Sequence, residues 1–174
     1  MEVLYLGSII YFLKKKKKMS LPFYIVDVFA DKKYAGNQLA VFLDAGNLSL
    51  EEMQNMAREI NFAESTFITK LERENNSADV KIFTPAHEMQ FAGHPIIGTS
   101  WVLMNKVFEN SPENIKLNVP IGPIAIHKTE ELIWLKAAQP KFWDIFSKED
   151  FTGFSNLKNH DFENQFPIQE VTTG

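Results

Sequence analysis

An α+β domain is what this sequence predicts, on three observations. Short runs rich in β-branched and aromatic residues recur along the chain, each bounded by Gly, Pro, Asn or Asp, which is how strands are punctuated. Two longer stretches, Ser49 to Asn61 and Pro95 to Phe108, place apolar residues at helical spacing. A hydrophobic content of 45% with 15 Phe in 174 residues supplies the core of one domain, or of one domain and part of a second, and excludes wholesale disorder.

The elements follow in order. Leu21 to Ala30 is apolar on both alternations except at Asp27, the pattern of a strand covered on both faces. Asp31 to Asn37 is a polar turn ending in Gly36-Asn37, and Leu39 to Leu43 is a second strand. Ser49 opens a helix, where it forms a capping box with Glu52. Leu50, Met53, Ala57 and Ile60 share one face of that helix, which ends near Asn61. Thr66 to Leu71 and Val80 to Thr84 are strands on either side of a polar tip at Glu72 to Ala78. Pro85 to Gly93 is an irregular connection. Pro95 begins a helix, at a position where its missing N–H goes unnoticed, and Ile97, Trp101, Met104 and Phe108 continue it. Three strands follow, Ile115 to Val119, Ile124 to His127 and Leu132 to Lys136, separated by Pro-Gly turns. After Pro140 the pattern loosens. Ser147 to Asp150 caps one more helix, and Pro167 to Val171 reads as a strand just starting. A chain that stops at Gly174, directly after that strand, reads as truncated.

Composition removes several classes of function. The net charge is −4, against the basic face that a nucleic-acid binder needs. With no Cys there are no disulfides, no thiolate zinc sites and no cysteine nucleophile or base. Four scattered His, and a His87-Glu88 pair without the second His of a zincin, argue against a metal site. There is no Walker loop and no GxGxxG. No apolar run reaches the ~18 residues that span a bilayer. The expectation is a cytoplasmic protein with no metal, no membrane and no nucleic acid.

Residues 1–18 stand apart. Val3 to Leu13 is apolar apart from Gly7 and Ser8, and Lys14 to Lys18 follow it, so charge comes after the apolar run rather than before it as in a secretory signal. Two readings compete. One is a short signal-anchor, although the run is only about half the usual spanning length. The other, preferred, is a spurious or disordered leader ahead of a start at Met19. Without residues 1–18, which carry five Lys and one Glu, the net charge is −8.

Three clusters are candidates for chemistry, each with a plainer rival. Ala35-Gly36-Asn37-Gln38 is on spacing alone a turn between two strands. Asn61 to Phe67 sets Glu64 between a helix end and a strand, among Phe62, Ala63, Phe67 and Ile68. An apolar surround disfavours the charged carboxylate, which suits a group that moves protons near neutral pH; the rival is a surface Glu in a loop. Phe91 to Thr99 places Gly93 where backbone can approach a ligand and His94 at the mouth of a helix whose free N–H groups attract anions. The rival there is a capping His. Gly98 inside a helix costs about 1 kcal/mol relative to Ala, which points to a close approach of the helix to a strand or a ligand.

Together, Asp27–Phe42, Ile60–Ile68 and Ile82–Thr99 resemble, in letters, order and separation, the N-terminal half of the phenazine-biosynthesis PhzF family. The resemblance runs from about Leu21 to Gly174. It implies a lobe of the diaminopimelate-epimerase-like fold, a mixed β-sheet curled around a central helix, over residues 19–138. Residues 139–174 are then the truncated beginning of a second lobe. It further implies a cofactor-free isomerase, with Glu64 as the catalytic general acid/base and Asn37, Gly93, His94 and Pro95 lining the pocket of a small-molecule substrate. Full-length relatives are commonly homodimers. Gln38 stands where the family has a proline after Asn37. Related racemases use two cysteines as opposed acid and base; here there are none, and Ala92 occupies the place of one. A single carboxylate that removes a proton and returns it elsewhere remains, with the substrate carboxylate resting on N–H groups after Pro95. In the family the second lobe supplies an aspartate and an anion-binding loop, so this chain alone is expected to be inactive or nearly so. The rival reading is a non-catalytic fragment, or a small-molecule-binding or structural paralogue of the same fold.

Overall fold

A sheet with two parallel seams organises the chain. In the computed structural model, residues 2–6, 9–13, 20–130, 132–136, 139–153 and 155–172 are described. Strands β1 (Glu2–Leu6) and β2 (Ile9–Leu13) pair antiparallel with each other as their own two-stranded sheet. Lys14 to Lys18 and Met19, on which the leader reading turns, lie outside the described residues, as do Ala137 and Ala138 at the expected lobe boundary and the final Gly174.

The main sheet holds β3 (Phe23–Val28), β4 (Asn37–Phe42), β5 (Glu64–Glu72), β6 (Ser77–Phe83), the short β7 (Glu88–Met89), β8 (Asn114–Val119), β9 (Gly122–Lys128) and β10 (Ile133–Leu135). Its order is β10-β9-β8-β6-β5-β4-β3, with β7 alongside β6. The pairings β4–β5 and β6–β8 are parallel and the others antiparallel. Parallel neighbours need a crossover, and each seam has its helix. Helix α1 (Leu50–Ile60) links β4 to β5, and α2 (Gly93–Val102), extended by a wider π turn over Leu103–Val107, lies between β7 and β8. Helix α2 touches β3 at one edge of the sheet, β10 at the other, and β4, β5 and β8 between them. The sheet therefore curls around this one helix, and the expected mixed sheet around a central helix is what the chain forms.

Both helices are explained by their sequences. Ser49 Oγ accepts the Glu52 N–H at 3.2 Å while the Glu52 carboxylate accepts the Ser49 N–H at 2.8 Å, completing the capping box. Asn61 closes α1 in the left-handed conformation that suits Asn (φ 57°). Met53 and Ala57 pack on Ala40, Phe42, Phe67 and Phe83, where Phe42 stacks on Phe67 and Phe67 meets Phe83 edge-on; Leu50, expected on the same face, is exposed. Helix α2 is buried almost all round, as an apolar helix without a polar stripe should be. The expected stripe is accordingly corrected: Met104 and Phe108 are buried and Ile97 is half-buried, but Trp101 is exposed, while Ile96, Thr99 and Val102 join the core instead.

Other expectations need correction. Pro95 is the third residue of α2, not the first, because the helix starts at Gly93. β3 is covered on one face only: it is an edge strand, and Phe23 and Ile25 are exposed on the face that α2 does not reach. The polar tip shrinks to Arg73–Asn75, and the irregular stretch before α2 includes β7. The loosened segment after Pro140 contains a strand that the pattern did not announce, β11 (Lys141–Phe146). It pairs antiparallel with β12 (Ile168–Thr172) in a separate sheet, and every β11 residue is exposed. Between them, α3 (Lys148–Thr152) carries the expected cap, with Ser147 and Asp150 hydrogen-bonded reciprocally.

Candidate active site

Glu64 is the first residue of β5 and lies opposite Leu39 of β4 across the parallel seam. Its face of the strand is also that of Thr66, which meets α2, so Glu64 looks towards the head of the central helix. There it meets His94, in the first turn of α2. His94 Nδ1 and Glu64 Oε2 are 3.3 Å apart, with side chains 10% and 17% exposed respectively. The contact has ion-pair distance but not hydrogen-bond alignment, which leaves Glu64 Oε2 buried with no hydrogen-bond partner among the described residues, and the other ring nitrogen, His94 Nε2, is likewise buried without one. Such atoms cost roughly 1–3 kcal/mol each when they stay unmatched, and two at one place mark a site shaped for something polar.

The helix start adds donors. Ala92 is the N-cap and gives no side-chain cap, and no acidic residue lies in the first turn. Ile96 N–H already bonds Ala92 C=O, and Pro95 has no N–H. The donors at the head of α2 are therefore those of Gly93 and His94, not groups after Pro95 as the sequence suggested. The two glycines of this helix also separate. A Cβ at Gly98 would stand 2.6 Å from Leu39 Cδ2 and 2.7 Å from Val28 Cγ2, so the close approach there is to strands. A Cβ at Gly93 would meet nothing within 4 Å, so Gly93 borders open space beside the carboxylate and imidazole.

The structure thus brings Glu64, Gly93, His94 and Pro95 to one place. Asn37 does not join them by a hydrogen bond. It is exposed at the start of β4, at the same end of the sheet, two residues before Leu39 and on its face. The loop before it is tightly held: Asp27 Oδ2 accepts the Tyr34 N–H at 2.9 Å, and Gly36 lies where a Cβ would meet Val28 O at 2.5 Å. Sequence reasoning missed Thr66 and Thr99, whose hydroxyls meet at 2.8 Å, and Ser65, whose buried Oγ has no partner among the described residues. Facing hydroxyls on distant segments leave no local signal.

One cavity of about 330 Å³ lies beside His127, Trp134 and Lys136 and another of about 80 Å³ beside Arg73 and Val107; neither includes Glu64 or His94. The paired groups are a better guide than volume, because they combine burial with unmatched polar atoms. Among the described residues no group of three or more His, Asp or Glu is placed to hold a metal ion. No helix among them is long and apolar enough to cross a membrane.

Known proteins share this arrangement of elements. The model of the family described as phenazine biosynthesis-like protein matches residues 26–174. The trans-2,3-dihydro-3-hydroxyanthranilate isomerase of Pseudomonas aeruginosa is 36% identical over 155 residues, covering 86% of this chain and 53% of the relative. A human phenazine biosynthesis-like domain-containing protein is 36% identical over 122 residues, covering 67% and 42%. The chain spans about half the length of these curated relatives. Among solved structures, the Bacillus anthracis phenazine biosynthesis protein of the PhzF family has a TM-score of 0.73 at 28% identity, over 90% of this chain and 54% of that one. A probable proline racemase from Agrobacterium radiobacter K84, at 11% identity and a TM-score of 0.51 over 72% and 44%, shares the fold alone. With a family match over all but the first 25 residues and a central helix wrapped by the expected mixed sheet, this chain belongs to the PhzC-PhzF, phenazine biosynthesis-like family.

Proposed function

We propose that the protein is a cofactor-independent isomerase that moves a proton between two carbons of a small carboxylate-bearing metabolite, with Glu64 as the general acid/base. The observation that carries this reading is the Glu64–His94 pair: a carboxylate and an imidazole 3.3 Å apart, each with a buried polar atom left unmatched. The Glu64 carboxylate takes a proton from a substrate C–H, and the electron pair is held in the substrate's adjoining unsaturated system. Glu64, now the acid and able to exchange its proton with solvent, returns a proton to a second carbon, so the product is an isomer and nothing is gained or lost. The Gly93 and His94 N–H groups, at the positive end of α2, receive the substrate carboxylate. Pro95 limits the donors to those two, His94 orients Glu64, and Asn37 borders the pocket from β4.

That the curated relatives are about twice as long supports a pocket shared with a second lobe; a cytoplasmic homodimer is proposed with it. The test begins with the intact mass of the natively expressed protein. That protein is then offered cyclic amino-acid-like carboxylates in D2O, and deuterium entry at carbon is followed by NMR. Exchange by wild type that falls by about 10²–10⁴-fold in E64Q supports the reading; equal exchange by E64Q refutes it. The 20.0 kDa chain alone is expected to turn over little or nothing, and measurable turnover by it would refute that part.

A further inference from the structure

Thr66 on β5 and Thr99 on α2 meet inside the core. Both are completely buried, and their Oγ1 atoms are 2.8 Å apart. Their neighbours are apolar and buried: Val41 and Ile82 stand opposite Thr66 on the flanking strands, and Ile96 and Val102 lie three residues before and after Thr99 on α2. Valine would fill either place with the same shape, so burial alone does not account for two hydroxyls here. A hydroxyl pair does what two methyl groups do not: it accepts only a narrow range of distance and angle, whereas apolar surfaces slide over one another.

The location of the pair says what is being fixed. Thr66 is two residues from Glu64 on the same face of β5, and Thr99 is five residues beyond His94 on α2. Next to Thr99, Gly98 brings the helix onto Leu39 and Val28. The helix is thereby seated on β3 and β4 by close packing and on β5 by the hydroxyl bond. We infer that Thr66 and Thr99 are positioning residues, whose hydrogen bond sets α2 against β5 and so holds His94 beside Glu64. The inference rests on the reading of Glu64 as the acid/base, and it assigns the threonines no contact with substrate.

The test uses the 174-residue chain and needs no turnover. Imidazole ¹⁵N resonances are recorded for the four His, with His94 assigned by its loss in H94Q. E64Q gives the His94 signature without a carboxylate neighbour. Each single valine variant leaves one buried hydroxyl unpaired and melts lower, whereas T66V/T99V removes both and melts near wild type. In the double variant the His94 signals are expected to move at least half of the way to their E64Q positions, with His87, His127 and His160 unmoved. T66S keeps the hydroxyl and is expected to retain the wild-type signature. A folded double variant with wild-type His94 signals overturns the inference. So does a double variant that fails to fold, because the pair would then be structural. If E64Q itself leaves the His94 signals in place, there is no Glu64–His94 contact to hold and the inference is overturned; the functional reading fails on its own test, exchange undiminished in E64Q.

Discussion

Replacing Gly98 by Ala sets two effects of opposite sign against each other. In an exposed helix the change gains about 1 kcal/mol, because Ala loses less backbone freedom on folding. Here the new methyl would lie 2.6 Å from Leu39 Cδ2 and 2.7 Å from Val28 Cγ2, whereas ordinary contact begins at 3.4 Å. Relief requires movement of about 0.8 Å by side chains packed in the core, where Leu39 is fully buried and Val28 nearly so. Overpacking of this kind costs about 1–3 kcal/mol, and two obstacles at once place it at the upper end. The net expectation is a loss of about 1–2 kcal/mol. For a domain of this size that lowers Tm by about 2–8 °C, read by circular dichroism at fixed protein concentration. A Tm equal to or above that of wild type would show that the helix is not pressed onto β3 and β4 here, and the account of how α2 is seated would fail.

Two further expectations concern the caps. S49A removes the side-chain acceptor for the Glu52 N–H and should cost about 1 kcal/mol, a drop of roughly 2–4 °C in Tm; an unchanged melt would mean that α1 is held by its packing alone. At α3, the Ser147 hydroxyl and backbone N–H bonds hold the Asp150 carboxyl below its ordinary range. A lowered folded-state value means the cap contributes above the unfolded-state value and is lost as pH falls through the folded one. The Ser147 amide resonance should therefore shift in acid with a midpoint below that of a free aspartate, and D150N should abolish the transition; a midpoint at or above the free value would contradict the cap.

Local chemistry was legible and long-range pairing was not. Ser49, Glu52, Asn61, Ser147 and Asp150 announced their caps because capping is settled within four residues of chain. Glu64 and His94 were legible as separate candidates, but their 3.3 Å contact depends on β5 and α2 being brought together, which spacing alone does not encode. The misread covering of β3 has the same origin: an apolar run shows that a strand wants burial on both faces, not that this chain supplies both. β11 escaped because its pairing partner, β12, lies more than twenty residues downstream. The start of α2 was missed by two residues because Pro is tolerated throughout the first turn, not only at its first position.

The separate β11–β12 sheet also bears on cooperativity. A two-stranded sheet with one strand wholly exposed has little buried area to hold it, so its opening free energy falls well below that of the main sheet. The three Trp happen to sample this difference: Trp101 is on α2, Trp134 on β10 and Trp143 on β11. Tryptophan emission thus sums a loosely held reporter with two in the main domain, while far-ultraviolet dichroism is weighted towards the main domain. The two probes need not trace one transition, and a single unfolding free energy describes the domain around α2 rather than the whole chain.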